Sequence, residues 1–129
     1  NMQLNPKYKD IVNEILDFFK IKIKIAIQSG INRNMIILDP GIGFGKTVDH
    51  NFELLSRLNE FNVLELPIMI GPSRKSFIGI TLDLPPEDRV EGTAAAVSAG
   101  VMNGASIVRV HDVKSMKRVV RIIEKVRNV

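Results

Sequence analysis

Three short apolar runs recur along the chain at intervals of roughly 30–40 residues, the spacing of βα units in a parallel sheet. They are residues 35–38 (MIIL), 67–71 (PIMIG) and 106–110 (SIVRV). Short continuous apolar runs with β-branched members are the pattern of a strand buried on both faces. Pro67 stands at the first position of its run, where a missing N–H is tolerated. Helical periodicity fills the intervals. Before the first run, Ile11, Ile15, Phe18, Ile21 and Ile25 recur three and four apart, with Pro6 suited to a first turn and Gly30 to a closing cap. Residues 20–27 (KIKIKIAI) also alternate as a strand would, but the length of the stripe favours helix. A second helix is expected to open on Asp49 as cap and to bury Phe52, Leu55, Leu58 and Phe61. Residues 82–86 read as a loop, and Pro86 fits the first turn of a further helix with Val90, Ala94, Val97 and Val101 on one face. Gly92, Ala95, Ala96, Ala99 and Gly100 make that helix thin enough to pack closely. A last helix turns Met116, Val119, Ile123 and Val126 inward and its lysines and arginines outward.

The expected fold is therefore α/β, with three parallel strands and flanking helices. With 129 residues, positions 1–129 read as a single domain. The absence of cysteine excludes disulfides and thiolate metal sites, and makes an intracellular, cytoplasmic location the expectation. Two histidines, His50 and His111, lie too far apart to suggest zinc. No apolar run approaches ~20 residues, so no membrane is expected as partner. The chain opens on Asn rather than Met and shows no signal-peptide pattern, which suggests a fragment or a processed product. Its net charge of +4 suits attraction of a small anion. Nucleic acid is not expected, because the basic stretches lack interleaved aromatics.

The densest signal is residues 34–47, NMIILDPGIGFGKT. The first strand ends on Asp39, Pro40 and Gly41 stop it, and Gly43 and Gly45 keep the loop bare. Such a loop brings backbone N–H groups close to a flat or charged ligand. Phe44 adds an aromatic and Lys46 a cation. The G-x-G-x-G spacing fails the dinucleotide fingerprint, and Pro40 stands where a P-loop needs glycine. A plain strand-to-helix turn would need fewer glycines.

The other polar clusters obey one rule. Asp39, residues 73–76 (SRKS), and Arg109 with His111 all stand at or just past the carboxyl end of a strand. In a parallel α/β fold that is the ligand-binding end. A carboxylate there pairs with a planar donor–donor edge of a nitrogen heterocycle, and a lysine reaches a ring acceptor. Arg109 can stack on a ring or clamp a phosphate. His111 adds a second phosphate donor, which Asp112 could orient. The implied ligand is a flat nitrogen heterocycle with a phosphate leaving group.

DPGIGFGK, GPSRKSFIG, the EGTAA helix and RVHDV, in this order and spacing, closely resemble the dihydropteroate synthase family. The likeness runs from about Asn5 onward. The family is a (β/α)8 TIM barrel that joins 6-hydroxymethyl-7,8-dihydropterin diphosphate to p-aminobenzoate and releases pyrophosphate. The resemblance implies that this chain is the C-terminal portion: the last three strands with their helices, preceded by the helix after the fifth strand. It implies that Asp39 recognises the pterin and that Lys75 reaches the pterin ring and lines the p-aminobenzoate site. It also implies that Gly71 floors the pterin pocket and that Phe44 and Ser76 contact p-aminobenzoate beside Gly43. Arg109 would stack on the pterin and hold the diphosphate with His111. No dedicated general base is expected. A magnesium ion is implied for the complete enzyme, with its ligand outside this chain, because the family's first-strand asparagine and its two mobile loops are absent. The fragment is therefore expected to be inactive alone, and a homodimer is the expected assembly. A pterin-binding corrinoid methyltransferase domain, or a non-catalytic pterin-binding remnant, are the alternatives.

Overall fold

A computed structural model describes residues 8–129. In chain order it contains α1 (Ile11–Gln28), a 3-10 turn (Arg33–Met35), α2 (Val48–Ser56), a 3-10 segment (Leu58–Leu64), β1 (Met69–Ile70), α3 (Ser76–Leu82), a 3-10 turn (Pro86–Asp88), α4 (Val90–Met102), β2 (Ile107–Val108) and α5 (Val113–Arg127). The strands β1 and β2 are parallel, with Met69 opposite Ile107 and Ile70 opposite Val108. Leu38 and Ile68 form a further parallel bridge beside them.

The first expected strand thus shrinks to one bridged residue. Met35 is captured by a 3-10 turn, where its N–H donates to the Asn32 carbonyl at 2.9 Å. The Asn32 side chain accepts the Asn34 N–H at the same turn. Leu38 is buried, but Met35 and Ile37 are exposed, so the run is not buried on both faces. The second and third expected strands are real but short. Their backbone bonds continue past the ends, with Ser106 N–H donating to Ile68 O and Arg109 N–H to Ile70 O, each at 2.9 Å.

The 20–27 stretch is helical, and Gly30 follows the α1 cap at φ +96. Its buried face keeps the start of the expected stripe, with Ile11 buried and Ile15 packed beside the core, and departs from it further along. Ile11, Val12, Phe19 and Ile23 are buried, while Phe18, Ile21 and Ile25 are exposed. Alternate residues on a helix project about 200° apart, so Ile21 and Ile25 fall on one face and Ile23 and Ile27 on the opposite one, and the core takes the face of Ile23. Just upstream, Phe19 meets Phe61 edge-on at 5.5 Å between ring centroids. Pro6 lies outside the described residues, and α1 opens on Asp10, whose side chain accepts the Asn13 N–H.

The cap of α2 is Thr47, not Asp49. Thr47 Oγ1 accepts the His50 N–H while His50 Nδ1 accepts the Thr47 N–H, a reciprocal pair that leaves Asp49 free in the first turn. Helix α2 then ends at Ser56 and tightens into the 3-10 segment. That rotation buries Leu54 with Leu55, Leu58 and Phe61, and leaves Phe52 exposed. Helix α3 covers residues the periodicity had not assigned. Pro86 opens a 3-10 turn rather than α4 itself. On α4, Val97 and Val101 are buried and Ala94 packs beside them, whereas Val90 is exposed. The thinness of α4 is used: a Cβ on Gly100 would lie 2.1 Å from Ile70 Cδ1, and one on Gly92 would lie 2.2 Å from Ile78 Cγ2. Met116 is buried against Val97 and Val101, with Val119 and Ile123 packed alongside, but Val126 is exposed. No described helix is long and apolar enough to cross a membrane.

Candidate functional site

The rim at the carboxyl ends of the strands is built from three loops. The first leaves the sheet at Leu38. Asp39 Oδ1 accepts the N–H of Gly41 at 2.9 Å, which folds the chain back at once. Gly41, Gly43 and Gly45 adopt φ of +75, +93 and +62, a left-handed zigzag that side chains would strain. Between them Ile42 is driven into the core and Phe44 stands out in solvent. Lys46 Nζ donates to the carbonyls of Gly41 at 2.7 Å and Phe44 at 2.8 Å, so this cation closes the loop. The buried Asn51 completes it. Its Oδ1 accepts the Gly43 N–H at 2.7 Å, and its Nδ2 donates to the Thr47 carbonyl at 2.9 Å.

The second loop follows β1. Gly71 is buried, and a Cβ there would lie 3.0–3.4 Å from the guanidinium of Arg109, so the flat cation lies across bare backbone. Ser73 is buried and bonds His111 twice: Oγ lies 2.7 Å from Nδ1 and accepts the His111 N–H at 3.1 Å. Arg74 takes a left-handed φ of +58. Its N–H donates to Thr93 Oγ1 at 3.0 Å, and its carbonyl accepts Arg89 Nη1 at 2.8 Å. Its guanidinium pairs with Asp112 at 2.9 Å. Asp112 therefore holds Arg74, and the partner that orients His111 is Ser73, because the turn after β2 carries Asp112 towards the second loop.

Lys75 connects the two loops. Its ammonium donates to the carbonyl of Ile42 and sits 4.4 Å from the centroid of the Phe44 ring. A Cβ on Gly43 would come within 2.8 Å of Lys75 Cδ, so the glycine leaves room for the lysine stem. Burial and the nearby Arg109 charge hold the Lys75 pKa below the ordinary lysine value, against the opposing pull of Asp39. Lys46 is lowered too, by burial first, with Asp39 raising and Lys75 lowering it. Lys75 thus stands within electrostatic reach of Asp39, Lys46 and Arg109. Arg109, His111, Asp39 and Ser76 are exposed at the strand ends, with Ser76 opening α3.

All eight sequence-selected site residues (Asp39, Gly43, Phe44, Gly71, Lys75, Ser76, Arg109 and His111) lie on these loops. Asn51, Arg89 and Thr93 escaped sequence reasoning. Thr93 carried a faint signal, as a hydroxyl directly before the alanines of residues 94–96. Asn51 and Arg89 carried none, since polar residues near a helix start read as solvated. Magnesium is a separate matter. Among the described residues no group of three or more His, Cys, Asp or Glu side chains could hold a metal ion, so these residues do not fit one by themselves.

Fold and site together define a mostly helical α/β protein with its polar groups gathered at the carboxyl ends of parallel strands. The family described as pterin binding enzyme matches residues 1–111, and the chain belongs to that family. It is 44% identical over 121 residues to the dihydropteroate synthase of Bacillus subtilis, covering 94% of this chain and 42% of that protein. To the Escherichia coli dihydropteroate synthase it is 44% identical over 123 residues, covering 95% of this chain and 44% of the other. The crystal structure of Yersinia pestis dihydropteroate synthase with a sulfonamide drug complex superposes with a TM-score of 0.97 at 44% identity, over 99% of this chain and 47% of that one. The Coxiella burnetii dihydropteroate synthase in complex with pteroic acid gives 0.93 at 38% identity, over 98% and 49%. The chain thus spans less than half the length of these curated relatives.

Proposed function

We propose that this chain carries the C-terminal part of a dihydropteroate synthase, positions 1–129 forming one unit of the last three βα modules and the helix before them. In the proposed reaction the amine of p-aminobenzoate attacks the exocyclic carbon of 6-hydroxymethyl-7,8-dihydropterin diphosphate. A carbon–nitrogen bond forms, the carbon–oxygen bond breaks, and pyrophosphate leaves with the electron pair while the nitrogen sheds a proton to solvent. Neutralising the departing charge is the main demand, and a strong base is not needed.

The observation that carries this reading is the convergence on Lys75. Its ammonium bonds the Ile42 carbonyl of the glycine loop and feels the charges of both Asp39 and Arg109. In the proposal Asp39 receives the donor edge of the pterin, and the ring takes the space over Gly71 that the Arg109 guanidinium fills here, with Arg109 lifting to stack on it. Lys75 reaches a ring acceptor. Arg109 and His111 take the diphosphate, while Phe44, Gly43 and Ser76 border p-aminobenzoate. Arg109 already lies flat over Gly71, which supports a stacking role. Magnesium enters the proposal only for the complete enzyme, with ligands outside this chain. A cytoplasmic homodimer belongs to the same proposal. The apolar groove between Phe52 and Leu55 on α2, Phe77 and Leu82 on α3, and Ala95 and Ala99 on α4 supports a helix-mediated contact.

The test is pteroate formation by this chain co-expressed with the amino-terminal half of a relative. Turnover is expected, and its absence from the chain alone. Lys75→Ala should lower kcat/KM by about 100-fold, on the scale of losing a group that stabilises transition-state charge. Arg109→Ala should weaken the diphosphate substrate more than the bare pterin alcohol. An unchanged kcat/KM for Lys75→Ala refutes the assignment, and so does methyl transfer from a methylated folate in place of condensation.

A further inference from the structure

His111 is exposed and Ser73 is buried, yet the two share both of the hydrogen bonds that Ser73 Oγ makes. The hydroxyl has one hydrogen and two lone pairs. One lone pair accepts the His111 backbone N–H at 3.1 Å. The hydroxyl hydrogen needs an acceptor, because a buried O–H left unpaired is costly. Among the described residues the acceptor in reach is His111 Nδ1, 2.7 Å away. If Nδ1 carried the proton in the neutral ring, that hydroxyl hydrogen would have nowhere to go. The neutral imidazole that satisfies every atom is therefore protonated on Nε2, at the ring edge turned away from Ser73.

We infer that Ser73 is a positioning residue. It sets both the orientation and the tautomer of His111, so that Nε2–H faces the rim as a ready donor to an anionic oxygen of diphosphate type. The inference rests on the proposed reading of the rim as a diphosphate site. Two features stiffen the arrangement. The Arg74 N–H is held by Thr93, and the Arg74 guanidinium by Asp112, so the residue after Ser73 is tied both to α4 and to the residue after His111. A histidine that must be a donor at one nitrogen gains from a neighbour whose hydroxyl hydrogen has the other nitrogen as its acceptor.

The experiment is nitrogen-15 NMR of the His111 ring at a pH where it is neutral, with inorganic pyrophosphate binding followed on the same samples by calorimetry. In the wild-type chain Nδ1 should resonate as a bare acceptor and Nε2 as N–H. Ser73→Ala should move the ring towards a mixture of tautomers and weaken pyrophosphate about tenfold, the worth of one hydrogen bond to a charged group. Ser73→Thr, which keeps the hydroxyl, should restore both. A wild-type ring protonated on Nδ1 overturns the inference, and needs no variant to be seen. An unchanged tautomer in a folded Ser73→Ala chain overturns it too. Failure of the wild type to bind pyrophosphate, with the tautomer as expected, overturns instead the diphosphate reading of the rim and leaves the serine–histidine geometry standing.

Discussion

The loop of residues 39–47 and the loop of residues 71–76 are joined by Lys75 and are held by different means. In the first, most bonds join neighbours in sequence, apart from those of Lys75 to the Ile42 carbonyl and Tyr8 to the Gly45 carbonyl. Asp39 reaches Gly41, Lys46 reaches Gly41 and Phe44, and Asn51 reaches Gly43 only eight residues away. In the second, the bonds of Ser73 and Arg74 to His111 and Asp112 span 38 positions, and those of Arg74 to Thr93 and Arg89 span 19 and 15. A loop closed by its own residues can form early and keep its shape when its surroundings change. A loop held by three later elements takes shape only once those elements have packed. The reacting groups in the proposed chemistry stand on both, so the site needs the slower loop to arrive.

The difference can be broken by cutting one set of ties at a time. The largest expected effect is Thr93→Val, which keeps the shape of a fully buried side chain but removes the acceptor of the Arg74 N–H. It should lower stability to urea by ~1–3 kcal/mol. Hydrogen exchange should quicken at Arg74 and stay unchanged at Gly43. Asn51→Leu should cost about as much and show the reverse pattern. Joint loosening of both loops by either variant would mean that they are one unit, and the contrast would fail.

Asp112→Asn tests the cross-tie with less force. The Arg74–Asp112 pair is partly exposed, at 37% and 29%, so its loss should cost under ~1 kcal/mol. Its signature should be faster exchange in residues 73–75 rather than a shift in overall stability.

The smallest effect concerns pH and Lys75, the residue that joins the loops. Its folded pKa lies below the ordinary value of 10.5. Between those two values the unfolded chain binds more protons than the folded one, so this lysine's contribution to stability rises with pH across that window. Below the folded pKa both states are protonated, and burial of the ammonium opposes folding in full. Denaturation of wild type and Lys75→Gln on either side of the window should therefore show wild type gaining slightly on the variant as pH rises. A relative loss would mean that the amine is not desolvated between the loops.

Much of the rim was legible because glycine, proline and charge act locally. The positive φ at Gly41, Gly43 and Gly45 follows from a loop that must double back without side chains in the way, and Asp39 at a strand end announces its own turn. The same local reasoning went astray where two local signals competed. At Thr47 and Asp49 either side chain could cap, and the reciprocal bond with His50 decided for Thr47. On α1 the isoleucines at every second position satisfied several helical faces equally. In the run of residues 35–38 the capped turn at Asn32 took Met35 before any strand could.

The sequence by itself determined the alternation of helix and strand, the order of the three loops, and the gathering of polar residues at strand ends. Those depend on periodicity and on residues that bend the chain within a few positions of themselves. Only the tertiary structure decided which face of α1 is buried, that Asp112 holds Arg74 rather than His111, that Lys46 is spent inside its loop, and that Ser73 and Thr93 matter. Each of those is a choice among partners far apart in the chain. Such a choice is made by which groups packing brings within hydrogen-bond reach, a distance that no pattern of neighbours encodes.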